Sequence, residues 1–346
     1  MGMRKVYIAY TGGTVGMLPT ERGHAPAPGQ LAELLDRLPQ FQAPEMPEIT
    51  LREYNPLLDS ANMTPADWVT IGEDLKAQQE NHDGFLVLHG TDTMAYTASA
   101  LSFLMEGLEK PVILTGSQIP LCETRSDALE NLTTGLLLIE RYAHRMCEVC
   151  ICFGGRLLRG NRASKTDAEG FDAFESPNHP LLGTIGIDFE LNWNMLRRPQ
   201  AQSLPLRVRQ LGDTSVGACR LYPGMSAHTL AAFLDGVEGC VLECYGAGNA
   251  PNRDKKFMDV LRNACDAGTV IVAVPQPLRG SAALSLYATG RALLDAGVVS
   301  GFDMTPEAAL TKMSYLFACT SDSTEVRHMM QQDLRGELTP LTSENE

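Results

Sequence analysis

The feature that most constrains this chain is a series of short, unbroken apolar runs, each followed by a segment with helical patterning. Phe85–His89, Pro111–Thr115 and Val149–Phe153 lack the polar–apolar alternation of a half-buried strand. Runs of this kind fit strands buried on both faces, as in a parallel sheet covered by helices on each side. Thr93–Met105 is apolar on nearly every side and reads as a buried helix; Ala128–Tyr142 reads as a second helix. Thr64-Pro65-Ala66-Asp67 opens another that runs to about Gln79, with Thr64 as N-cap and Pro65 at the first helical position.

Upstream, Lys5–Tyr10 and Ile49–Tyr54 read as strands and Leu31–Leu38 as a helix. Leu18–Gly29 is polar and rich in proline and glycine, and is expected as a loop. The pattern weakens from Asn161 to Arg209. It resumes with strands at Gly217–Tyr222, Gly239–Tyr245 and Val270–Pro275, and with helices at Ala227–Leu234, Lys255–Ala267 and Ala288–Ala296. Pro306–Leu316 and Thr324–Gln332 close the chain as helices. Strands alternating with helices give an α/β fold. The expected layout is a large N-terminal α/β domain with a parallel-rich sheet over residues 1–192, a linker over 193–212, and a smaller C-terminal α/β domain over 213–346. A length of 346 residues suits two domains.

Composition narrows the function classes. With a net charge of −14 the surface repels nucleic acid and anionic membranes, so neither is expected as a partner. No apolar run is long enough for a membrane span, and the N-terminus lacks the apolar core of an export signal. A cytoplasmic location is expected. Nine cysteines, an odd number, fit a reduced protein better than a disulfide framework. Cys147, Cys150 and Cys152 lack a fourth ligand, so Val149–Phe153 reads as a buried strand and no metal site is expected.

In an open parallel sheet, ligands bind beyond the carboxyl ends of the strands. Two such ends stand out: Tyr10 into Thr11-Gly12-Gly13-Thr14, and His89 into Gly90-Thr91-Asp92-Thr93. The first is no dinucleotide fingerprint, because Thr11 stands where glycine is needed and no acidic residue closes a following strand at the required spacing. No Walker loop or Gly-x-Ser-x-Gly elbow occurs. Threonine can attack a carbonyl when a base takes its proton and donors stabilise the oxyanion. A buried lysine can be that base, and Lys165 is the only lysine between Lys110 and Lys255. Taken singly, Lys165 also suits a solvated surface position, and Thr14 and Thr91 suit helix caps or turns.

Five motifs in order remove that ambiguity. Thr11-Gly12-Gly13-Thr14-Val15-Gly16, Asp59-Ser60, His89-Gly90-Thr91-Asp92-Thr93-Met94, Thr115-Gly116-Ser117-Gln118 and Gly160-Asn161-Arg162-Ala163-Ser164-Lys165 resemble the bacterial-type L-asparaginases, most closely the cytoplasmic type I group. The resemblance runs on through Tyr245-Gly246-Ala247-Gly248-Asn249-Ala250-Pro251 and the tail Leu334–Pro340. It implies hydrolysis of L-asparagine to aspartate and ammonia without a cofactor, in a dimer or a dimer of dimers. It implies Thr14 as nucleophile, Thr91, Lys165 and Asp92 as a second triad, and Gly13, Asp59, Ser60, Thr91, Asp92 and Ser117 as substrate contacts.

The sequence departs from the resemblance at two places. His24 aligns where the group commonly has a loop tyrosine that helps activate the nucleophile; either the imidazole replaces the phenol as proton carrier, or the loop aligns differently, or activity is reduced, or His24 is an exposed loop residue with no role. Glu243, Pro275 and Pro277 fall in the strands that resemble a regulatory asparagine site of some type I members. A carboxylate repels the ligand's own, and prolines lack N–H donors, so an unregulated, hyperbolic response is expected. Alternatives to asparagine hydrolysis are an amidase for glutamine or for a side-chain amide on a larger partner, and a weakened amino-acid sensor. Acidity and the lack of an added N-terminal domain weigh against an RNA-linked amidase.

Overall fold

The computed structural model describes residues 2–21, 23–198, 204–285 and 288–339. The chain divides into two compact units, Met1–Arg209 and Gln210–Glu346. Residues 199–203 of the expected linker and 340–346 of the expected C-terminal domain, including Pro340 of the tail motif, lie outside the described residues.

The strands of the first unit are β1 (Lys5–Gly12), β2 (Met17–Thr20), β3 (Gly23–Pro26), β4 (Glu48–Leu58), β5 (Gly84–Leu88), β6 (Met105–Glu106), β7 (Val112–Thr115), β8 (Val149–Phe153), β9 (Arg156–Arg159), β10 (Ser164–Lys165), β11 (Phe174–Glu175), β12 (Gly183–Ile185), β13 (Phe189–Leu191) and β14 (Arg207–Val208). Its helices are α1 (Gln30–Arg37), α2 (Pro65–Ala77), α3 (Met94–Leu104) and α4 (Ala128–Tyr142). Eight strands form one sheet in the order β13-β12-β9-β8-β7-β5-β1-β4. The five from β8 to β4 are parallel, and β9, β12 and β13 continue the sheet antiparallel.

The central strands alternate between two cores. Val6, Ile8 and Tyr10 of β1 face one side with Leu132 and Leu136 of α4; Tyr7 and Ala9 face the other with Ile71 of α2 and Leu101 of α3. Both faces are covered, which is why β5 and β8 are buried at every residue and read as continuous apolar runs. Cys150 and Cys152 are core side chains on the α4 side of β8, and desolvation pushes the Cys152 thiol up to about 12. The α2 start is as expected, with Pro65 first and the Asp67 carboxylate accepting the Thr64 N–H at 2.7 Å.

Two expectations need correction. Leu18–Gly29 is not simply a loop: β2 and β3 pair antiparallel as a hairpin outside the main sheet, with the Thr20 hydroxyl donating to the Gly23 carbonyl across its end. The weakly patterned stretch after Asn161 carries β10 to β14, each of two or three residues, too short to show a period.

The second unit holds β15 (Val216–Arg220), α5 (Ala227–Leu234), β16 (Gly239–Cys244), α6 (Lys255–Asp266), β17 (Val270–Pro275), α7 (Ala288–Asp295), β18 (Val299–Ser300), α8 (Pro306–Cys319) and α9 (Ser323–Met330). Its four strands form a parallel sheet in chain order. The tail is anchored from within: Lys312 of α8 and Glu337, both fully buried, pair at 2.5 Å. Burial opposes ionisation of Glu337, but the Lys312 ammonium, helped by the N–H groups of Leu334 and Arg335 that the carboxylate also accepts, holds its carboxyl below the usual range. Among the described residues, no helix is long and apolar enough to cross a membrane.

Candidate active site

The carboxyl ends of β1, β4, β5 and β7 bring the sequence motifs together. Gly13 has φ +92°, and a Cβ there would lie 2.5 Å from the Gly90 amide nitrogen. A Cβ on Gly90 would in turn overlap the Ser60 hydroxyl. Glycine at both positions lets the loop after β1 rest directly on the loop after β5, with Ser60 behind it. The Thr93 hydroxyl donates to the Ser60 carbonyl at 2.7 Å and fastens the end of β4 to the start of α3.

Lys165, on β10, reaches this junction. Its Nζ donates to Thr91 Oγ1 and to Asp92 Oδ1, each at 2.8 Å. Thr91 is buried, whereas the Lys165 side chain keeps 19% and the Asp92 side chain 65% of its exposure. A lysine amine, a carboxylate and a hydroxyl therefore meet at one edge of the site. Asp59 is exposed and accepts from the Ala61 N–H at 3.1 Å and from Asn62 Nδ2 at 2.9 Å. Ser60 is buried. Ser117 is 1% exposed, and its hydroxyl has no hydrogen-bond partner among the described residues. A buried hydroxyl in that state has unspent capacity for a ligand or a water.

Thr14 lies in a short 3-10 turn, Thr14–Gly16, between β1 and the β2–β3 hairpin. The turn and hairpin are tied to the segment after β7: Leu121 N–H donates to the Val15 carbonyl at 3.0 Å, and Cys122 Sγ to the Met17 carbonyl at 3.5 Å. His24, on β3, adds a side-chain tie through Nε2 to Glu123 Oε1 at 3.2 Å. Its hydrogen bond goes to Glu123, not to Thr14. The structure thus gathers Gly13, Ser60, Thr91, Asp92 and Lys165, with Thr14 next in chain to Gly13, and places His24 on the hairpin.

Sequence reasoning missed two supports. His89 is fully buried, its Nδ1 lies 2.7 Å from the Gly90 carbonyl and its Nε2 lies 2.8 Å from Thr97 Oγ1. The carbonyl only accepts, so Nδ1 carries the proton and Nε2 accepts from Thr97. Burial pushes this imidazole down to about 4, so it is neutral at pH 7. Gln118 is the second: its amide meets Thr91 and the loop that follows Lys165. Both residues sit inside recognisable motifs, but only tertiary contacts reveal what they hold.

The arrangement suits a small zwitterion: carboxylates for an ammonium, hydroxyls for a carboxylate, and a threonine beside them for acyl chemistry. The family description "Asparaginase, N-terminal" matches residues 5–197, and "Glutaminase/Asparaginase C-terminal domain" matches residues 215–330. The chain belongs to the asparaginase family. L-asparaginase 1 of Escherichia coli K12 is 48% identical over 98% of this chain and 99% of its own length. The crystal structure of L-asparaginase I from Vibrio cholerae superposes with a TM-score of 0.90 at 44% identity, covering 98% of this chain and 100% of that one. The human protein called 60 kDa lysophospholipase is 41% identical over 99% of this chain but only 62% of its own length.

Within this asparaginase, Glu243 of β16 differs from the sequence expectation. It is bonded to Arg220 of β15 at 2.8 Å, so a neighbouring cation meets its charge. Repulsion of a ligand carboxylate is correspondingly weaker than an isolated Glu243 would give. The lack of N–H groups at Pro275 and Pro277 is then the main argument left against a regulatory ligand there.

Proposed function

We propose that this chain is an L-asparaginase that hydrolyses the side-chain amide of L-asparagine to L-aspartate and ammonia, with Thr14 as nucleophile. The observation that carries the reading is the bonded Lys165–Thr91–Asp92 cluster, set against the Gly13-Thr14 loop in a member of this family. Thr14 Oγ adds to the amide carbon, and its proton passes through the site to the departing nitrogen. The C–N bond breaks, ammonia leaves, and an aspartyl ester remains on Thr14. Water then adds to the ester, restores the threonine hydroxyl and releases aspartate.

Neutral Lys165 takes a proton through Thr91 as each reacting hydroxyl adds and returns it to the departing group, and Asp92 stabilises the ammonium formed in between. Asp59 and Asp92 hold the substrate ammonium, while Ser60 and Ser117 donate to its oxygens. Gly13 keeps the backbone close enough for these contacts to form on one small molecule. His24 serves the site through the hairpin rather than as a proton carrier, a reading its bond to Glu123 supports. No step requires a cofactor. The enzyme works in the cytoplasm as a dimer or a dimer of dimers.

Ammonia release from asparagine and glutamine, each at several concentrations, tests the reading. Turnover of asparagine with a hyperbolic dependence is expected. Turnover of glutamine alone would make the chain a different amidase. Calorimetric binding of asparagine without ammonia release would make it a sensor.

A further inference from the structure

Thr91 has a third partner besides Lys165 and the substrate it is proposed to serve. Its hydroxyl donates to Gln118 Oε1 at 3.4 Å. The orientation of that amide is not free. Gln118 Nε2 donates to the carbonyls of Ala168 and Gly170, at 3.2 and 3.0 Å, and carbonyls can only accept. The nitrogen is therefore committed to the 168–170 loop, and the oxygen is left facing Thr91.

The backbone of Gln118 is fixed as well. The Asp127 carboxylate, just ahead of α4, accepts the N–H groups of Gln118 and Ile119 at 3.0 to 3.1 Å. Asn131 reinforces the same corner, donating to Asp127 and to the Gly116 carbonyl and accepting from the Gly154 N–H. Gln118 thus crosses from the end of β7 to the end of β5 and to the loop that begins three residues after Lys165.

The hydrogen bonding of Thr91 follows from this. When Lys165 is an ammonium, it donates to Thr91 Oγ1, so the threonine's own hydrogen needs another acceptor. Gln118 Oε1 supplies it. When Lys165 has lost a proton, the Thr91 hydrogen can swing from Gln118 to Nζ, a rotation about one bond with no movement of heavy atoms. We infer that Gln118 is a positioning residue of this active site, holding the Thr91 hydroxyl in line with Lys165 while the 168–170 loop fixes its amide. The inference rests on the proposed amidohydrolase mechanism and names a residue through which its second triad is held.

Gln118→Met keeps the length of the side chain and removes both polar atoms. With asparagine as substrate, kcat should fall about 10- to 100-fold, as expected for a misplaced reacting group, while KM changes less than about threefold. A double-mutant cycle separates positioning from general structural damage. The double variant Thr91→Val with Gln118→Met should be no slower than Thr91→Val alone, to within about twofold, because Gln118 acts through the hydroxyl already removed. Should the Met variant melt well below wild type, Gln118→Asn gives the same test by withdrawing the oxygen one carbon from Thr91. A single variant within about twofold of wild-type kcat, or losses that multiply in the double variant, would overturn the assignment. Wild-type enzyme that releases no ammonia would instead overturn the function on which it rests, and the assignment with it.

Discussion

The loops that carry Thr14 and Thr91 come from neighbouring strands of one sheet, yet they are built in opposite ways. Thr91 follows β5, which is buried at every residue, and its hydroxyl is held by Lys165 and Gln118. The residues before it are pinned by His89. Thr14 precedes a two-stranded hairpin of half-buried and exposed residues. An isolated hairpin has little stability of its own, so this one depends on a few ties to the segment after β7. The groups proposed to stabilise charge thus stand on the more heavily bonded side, where preorganisation counts most. The proposed nucleophile, Thr14, stands on the side with fewer fixed contacts.

The largest expected effect treats the two sides alike. Thr14→Ala and Thr91→Val should each lower kcat on the order of 10³-fold or more, with melting temperatures near wild type. Near-wild-type ammonia release from either variant would remove that threonine from the mechanism.

Acid separates the sides. His89 is buried and neutral, and its folded-state value near 4 lies below the ordinary 6.5. The unfolded chain therefore binds this proton first, and stability falls as pH drops from about 6.5 towards 4. Over that window the loss from His89 alone is on the order of 3 kcal/mol. Denaturant melts at pH 7 and pH 4.5 should show a smaller acid loss for His89→Gln than for wild type. Equal slopes for the two proteins would mean that the imidazole is not held neutral by the fold.

The contact between the sides can be broken directly. Gly13→Ala places a Cβ against the Gly90 backbone at a φ that favours glycine. Moving the Thr14 loop off the Thr91 loop by about 1 Å should cost roughly 10²-fold in kcat. Activity within fivefold of wild type would show that the two loops need not touch.

What could be read from the sequence follows the same division. The rigid side announced itself, because strands buried on both faces leave unbroken apolar runs: β5, β7 and β8 fall where Phe85–His89, Pro111–Thr115 and Val149–Phe153 placed them. The hairpin did not, since Met17–Thr20 and Gly23–Pro26 face mostly solvent and carry no period. The site residues were recognisable only as an ordered set of motifs. Lys165 by itself looks like any surface lysine, and its meeting with Thr91 joins residues 74 positions apart. Gln118 lies inside a recognisable motif, but its role is hidden for a related reason. A glutamine in a loop is ordinary until its amide is seen to have two carbonyls on one end and a threonine on the other.

The smallest expected effect concerns His24 and Glu123, whose side chains are each 43% exposed. An exposed pair of this kind is worth about 0.2–1 kcal/mol, which limits its influence to roughly fivefold. If the pair only holds the hairpin, His24→Gln and Glu123→Gln should each lower kcat/KM by about two- to fivefold, and the double variant should be no worse than either single one. A proton-carrying His24 would behave otherwise. Its loss would cost about 10²-fold or more and would far exceed the loss from Glu123→Gln. Those ratios decide whether the imidazole on the hairpin takes part in the chemistry or, as its bond to Glu123 supports, keeps the lighter of the two loops in place.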